Sequence, residues 1–183
     1  RQCTAPTDRI LVVADAPEHY GYDFVNADIV LNLLSVTDGW LTTPSGMRYR
    51  ALQLGGSSSR MTLPMLKKIA ALADAGAMFV GARPMSSPSL SDDQQEFAKL
   101  ADRLWGSAKV VEQPIEKALA SVNLAPDFEV VGATNPPIMV LHRHLDDGEV
   151  YFLTNRKGQR FSGDVAFRVT GRDAESGDAD TGT

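Results

Sequence analysis

The chain has 183 residues, with 18 Lys and Arg against 23 Asp and Glu, a net charge of −5. Hydrophobic residues make up 43 % and charged residues 22 %, the balance of an ordinary folded domain, which excludes disordered and collagen-like chains; a single cysteine, Cys3, excludes a disulfide scaffold. The acidic balance argues against nucleic acid as the main partner, because phosphate binding wants clustered Lys and Arg. No apolar run approaches the roughly 18 residues that span a bilayer.

The first two-thirds alternate between strand-like and helix-like stretches. Residues 9–14 (Arg-Ile-Leu-Val-Val-Ala) form a β-branched apolar run, the pattern of a buried parallel strand. Asp23 is placed to cap a helix over 24–34, which Asp38-Gly39 ends with turn chemistry. Residues 47–54 alternate and read as one strand, and 77–81 as another. Between them, Thr62 and Pro64 open a helix running to about Ala75, with Leu66, Ile69, Ala70 and Ala73 on one face and Gly76 after its end. A second helix has Ser91 and Gln94 at capping-box spacing, an apolar stripe of Phe97, Leu100, Ala101, Leu104 and Trp105, and Gly106 as its stop. A short strand over 109–111 and a helix over 115–122 complete this part. Strands separated by helices predict a parallel sheet with helices on both faces. Residues 1–125 therefore read as a flavodoxin-like (class I amidotransferase-like) α/β domain.

The last third changes character. Residues 127–131, 138–145, 149–155 and 164–170 are all strand-like, and Asp146-Asp147-Gly148 is a hairpin turn signal. Residues 126–183 read as an antiparallel β-rich segment, a partial sandwich with a polar tail.

In an open α/β sheet, ligands bind beyond the carboxyl ends of the strands. Three loops qualify. The first holds Asp15, His19 and Tyr20 among further acids and Tyr22, a mix suited to a sugar or another polar small molecule; a solvated loop is the competing reading. The second, Gly55 to Thr62 with Arg60, is a Gly/Ser loop before a helix that could cradle an anion, although it is neither a Walker loop nor a dinucleotide fingerprint. The third carries Arg83, Ser86 and Ser87 directly after a strand, where the serines could equally cap turns. Nucleophilic catalysis has little support: no G-x-S-x-G elbow is present, and Cys3 precedes the first strand. His142 and His144 share one face of a strand; a structural role is favoured over a metal site there, and no cofactor or metal is assigned to the chain.

Several stretches resemble the α-L-rhamnosidases of glycoside hydrolase family 106. They are Asp23-Phe24-Val25-Asn26-Ala27-Asp28, Pro44-Ser45-Gly46-Met47-Arg48-Tyr49-Arg50-Ala51-Leu52, Met61-Thr62-Leu63-Pro64, Gly81-Ala82-Arg83-Pro84, Leu104-Trp105-Gly106 and Tyr151-Phe152-Leu153-Thr154-Asn155. The resemblance implies a large sugar-cleaving enzyme whose catalytic carboxylates lie on a (β/α)-barrel, with the region seen here following that barrel. No catalytic residue carries over to a position in this chain. The expectation is a non-catalytic accessory part of such an enzyme, partnered by the rest of the parent and by carbohydrate, with no membrane span. The alternative is a stand-alone sugar-binding or protein-interaction module. A chain that opens on Arg1 rather than Met is expected to be either processed or a piece of something longer.

Overall fold

In a computed structural model of the chain, the structure describes residues 17, 19–107, 109–133, 136–178 and 181. The strand predicted over 9–14 lies outside them, as does Asp15. The described residues form a mixed α/β arrangement, with one three-stranded parallel sheet and antiparallel strands in three further sheets.

The parallel sheet is built from β4 (Ala51–Leu54), β5 (Met78–Gly81) and β6 (Val110–Val111), in that order. Helix α2 (Leu63–Asp74) joins β4 to β5, and α3 (Gln94–Trp105) joins β5 to β6. Both faces of the sheet are covered, so β5 is apolar at successive positions. Phe79 faces a core made with Leu66, Ile69 and Ala73 of α2 and Phe97, Ala101 and Leu104 of α3. Its neighbour Val80 faces a second core with Ile115, Ala118 and Leu119 of α4 (Ile115–Ser121). Both long helices carry their apolar residues at the predicted 3.6-residue spacing.

The sequence between the first helix and β4 folds differently from its reading. Helix α1 is the short segment Ala27–Asn32, capped by Asn26, whose side chain accepts from the Ile29 amide at 3.0 Å. Asp23 is not the cap; it accepts from the Tyr49 hydroxyl at 2.7 Å. Asp38 and Gly39 both have positive φ, 52° and 76°, the conformation of a two-residue hairpin turn. They join β1 (Ser35–Thr37) to β2 (Trp40–Thr42), and β3 (Arg48–Tyr49) completes an antiparallel sheet. The single strand predicted over 47–54 is thus two: β3 pairs with β2, and after Arg50 the chain continues as β4 beside β5.

In the last third, β7 (Phe128–Val130) pairs with β10 (Val165–Phe167), and β8 (Ile138–His144) pairs with β9 (Glu149–Asn155). All are antiparallel. The turn at Asp146-Asp147-Gly148 sets a register in which His142 faces Tyr151 and His144 faces Glu149.

Candidate functional site

The second and third loops come together at the carboxyl end of β4 and β5. Arg60 and Ser86 form a parallel β-bridge, and the Met85 amide donates to the Ser59 carbonyl at 2.8 Å. Residues Gly56–Ser59 form a 3-10 turn before α2. The anion at the N-terminus of α2 is the protein's own: the Leu63 amide donates to Asp92 Oδ2 at 2.7 Å, while Thr62 makes no side-chain cap. The Ser87 hydroxyl donates to the same carboxylate oxygen. These two donors, Ser87 first, hold the Asp92 carboxyl below the usual carboxylate range. Ser87 is buried and also accepts from the Ser89 amide at 3.1 Å. Ser91 does not cap α3 as its spacing suggested; Asp93 does, accepting from the amides of Gln95 and Glu96 at 2.8 and 3.0 Å. Gln94 instead reaches back to the Ser87 backbone. Arg83 turns onto α3, where its Nη2 and Nε lie 2.8 and 3.0 Å from Asp102 Oδ1.

His19 and Tyr20 lie apart from that group, on the α4 side of the sheet. His19, with φ of 65°, packs its ring 4.8 Å from that of Phe128, and its carbonyl accepts from the Asp127 amide at 2.8 Å. Its Nδ1 is enclosed with no hydrogen-bond partner among the described residues. The Tyr20 hydroxyl donates to the Leu124 carbonyl at 3.1 Å, and burial raises its pKa. Both residues therefore fasten the loop to the start of β7.

The densest polar cluster lies elsewhere, centred on His142. Its Nδ1 is 2.8 Å from Asp127 Oδ2 and its Nε2 is 2.7 Å from Glu149 Oε2. The other Glu149 oxygen meets His144 Nδ1 at 2.7 Å. Asp127 also accepts from the Tyr151 hydroxyl at 3.2 Å and from Arg168 at 3.5 Å. The His142 ring thus bridges two carboxylates, one at each nitrogen. The ring stacks on Tyr151 at 4.1 Å, and Tyr151 packs on Phe167 at 4.4 Å. The His142 and His144 contacts hold Glu149 below its ordinary pKa, and burial with the adjacent Asp127 charge pushes Tyr151 up to about 12. The shared face of the two histidines was legible in their spacing. Asp127 was missed, because it lies 15 residues upstream, just before β7; Glu149 and Tyr151 were recoverable from the hairpin register alone.

Chemically, this cluster is a clamp. It ties the β8–β9 hairpin to the β7–β10 pair, and its charged groups are engaged with one another. Among the described residues no three His, Cys, Asp or Glu side chains converge as metal ligands.

Comparison with known proteins bears on most of the chain. A family profile described as alpha-L-rhamnosidase matches residues 7–183. The solved rhamnosidase from Novosphingobium sp. PP1Y is 39 % identical with a TM-score of 0.79, over 87 % of this chain and 16 % of that one. A protein of Formosa agariphila named "Putative beta-glucuronidase" is 33 % identical over 167 residues, 90 % of this chain and 14 % of its own length. The chain thus spans about a sixth of the one relative and about a seventh of the other.

Proposed function

The chain belongs to the α-L-rhamnosidase family of glycoside hydrolases, and from that premise we propose that it is a non-catalytic supporting part of a larger enzyme that hydrolyses α-L-rhamnosides. One observation carries the reading. The outward face of the β8–β9 ribbon presents Met139, Leu141, Val150 and Phe152, each 45–49 % exposed. The register sets Leu141 directly against Phe152, and Met139 and Val150 are the next outward positions along the two strands. A two-stranded ribbon is marginal in water, and a contiguous apolar face of this kind marks a surface that another layer covers. In the relatives, about five-sixths of the polypeptide lies beyond the matched region, which supplies ample chain to cover it. The rest of the parent enzyme, including the catalytic barrel that the family resemblance implies, is the partner on this reading.

Five of the carboxylates agree with a supporting role. Asp74 pairs with Arg103, Asp102 with Arg83, Asp92 with Ser87 and the α2 terminus, and Asp127 and Glu149 with His142. A glycosidase needs two carboxyl groups aimed at one scissile bond, whereas these are spent on local donors. The test is release of nitrophenol from p-nitrophenyl α-L-rhamnoside. The chain alone is expected to give no turnover while the parent enzyme does. Hydrolysis by the chain alone that disappears when one of its carboxylates is replaced overturns the reading.

A further inference from the structure

The β1–β2–β3 sheet is two-faced. Val36, Leu41 and Tyr49 point into the core. The alternate positions, Ser35, Thr37, Trp40, Thr42, Arg48 and Arg50, share the outer face, because Trp40 is opposite Thr37 and Thr42 is opposite both Ser35 and Arg48. On that face two guanidinium groups gather on one indole: the Arg48 and Arg50 Cζ atoms lie 5.0 and 5.3 Å from the Trp40 ring centroid. Stacking on the ring uses the flat face of a guanidinium and leaves its in-plane N–H donors free. Arg50 places one on the Gly39 carbonyl at 3.4 Å. Arg48 is exposed, and among the described residues no carboxylate lies within 4 Å of either arginine.

That gathering of two cations on one face stands in a chain that is acidic on balance. Acidic residues outnumber basic ones by 23 to 18, and Arg83, Arg103, Arg168, Lys67 and Lys109 each pair with a carboxylate. Like charges set side by side on one sheet face repel, and a bound anion removes that cost. A guanidinium fork takes a carboxylate or sulfate through two parallel hydrogen bonds, and beside it the Thr37 hydroxyl and the Ser35–Thr42 hydroxyl pair, 2.9 Å apart, can bond sugar hydroxyls. Two cations are too few for a nucleic-acid backbone, which is held by many phosphate contacts.

We propose that the Trp40–Arg48–Arg50 face binds an acidic saccharide, its carboxylate or sulfate group held by the two guanidinium groups. The choice of a saccharide rests on the glycosidase reading above; the anion site does not. The experiment is an NMR titration of the chain at low salt, following the Trp40 indole and arginine Nε–H signals, with D-glucuronate, D-glucose 6-sulfate, D-glucose and inorganic sulfate. At least one acidic sugar is expected to shift these signals, glucose to leave them in place, and Arg48→Ala to weaken binding about tenfold, with the thermal midpoint of the exposed-site variant unchanged. A response to glucuronate identifies a uronate site; a response to glucose 6-sulfate alone identifies a sulfated sugar. No shift with either acidic sugar overturns the proposal. Equal affinity for inorganic sulfate overturns its saccharide half while leaving the turnover test untouched, because binding here is read without hydrolysis.

Discussion

Asp127 is only 4 % exposed, and His142, Tyr151 and Arg168 offset the loss of water around its carboxylate. Removing the carboxylate leaves the Tyr151 hydroxyl and His142 Nδ1 without their partner in a part-buried site. Asp127→Ala is therefore expected to cost about 2–4 kcal/mol by urea unfolding, with Asp127→Asn, which keeps the hydrogen-bonding shape, less damaging. The tyrosines give a second expectation. Burial, with Asp23 beside Tyr49 and Asp127 beside Tyr151, pushes both hydroxyls up to about 12. A pKa above its unfolded value of about 10 means stability that is complete below pH 10 and lost as pH rises through 12. Spectrophotometric titration should find less phenolate at pH 11 in the native chain than in the unfolded one, with stability falling over that window. The carboxyls of Asp92, Asp93 and Glu149 have the opposite sign. Their contribution is present above the ordinary carboxylate range and drains away as the solution is acidified below it.

At the scale of elements, the close approach of β5 to β4 is set by Gly81. Its φ is +147°, and an added Cβ would meet the Leu54 carbonyl oxygen at 2.5 Å and Leu54 Cβ at 2.8 Å. The same carbonyl end of β5 receives the Trp105 indole N–H at 2.9 Å. Gly81→Ala is expected to cost at least about 2 kcal/mol in chemical denaturation, since both backbone strain and a clash with a neighbouring strand must be relieved. This part of the fold was legible because it rests on long, periodic signals: α2, α3 and the β8–β9 hairpin stand where their apolar spacing put them. Residues 47–54 were not, because side-chain alternation runs straight through Arg50 while the hydrogen-bond partner changes from β2 to β5. Periodicity reports which way a side chain points, not which strand lies beside it. Strands of three residues, such as β1 and β2, are too short to declare a period at all, so Asp38-Gly39 read as the end of a helix rather than a hairpin turn. The second and third candidate loops were legible as loops. The acid that sits on α2 was not, because Asp92 arrives from 29 residues away.

For the whole molecule, two cores lie on opposite faces of one parallel sheet, and the apolar face of the β8–β9 ribbon remains open to solvent. Leu141→Ser with Phe152→Ser separates the two environments. In the chain alone the pair is expected to change stability by less than about 1 kcal/mol, as exposed substitutions do. In the full-length parent, where the ribbon is covered on our reading, the same pair is expected to cost about 2–5 kcal/mol, as truncations of buried side chains do. Thermal or urea unfolding of both proteins checks this, and equal small effects in the two would count against the ribbon as a docking face.

The passage from β3 to β4 through Arg50 alone has a mechanical consequence. Tyr49 is held by Leu41 in one sheet and Ala51 by Met78 in the next, so a single taut stretch of backbone belongs to both. Tension applied along it cannot be relaxed by slack in a connecting loop. It passes directly into the ladders on either side, two residue pairs with β2 and four with β5. The hairpin sheet is thereby expected to yield with the parallel sheet as one unit, and hydrogen exchange at Leu41, Tyr49 and Leu52 should report a common opening event.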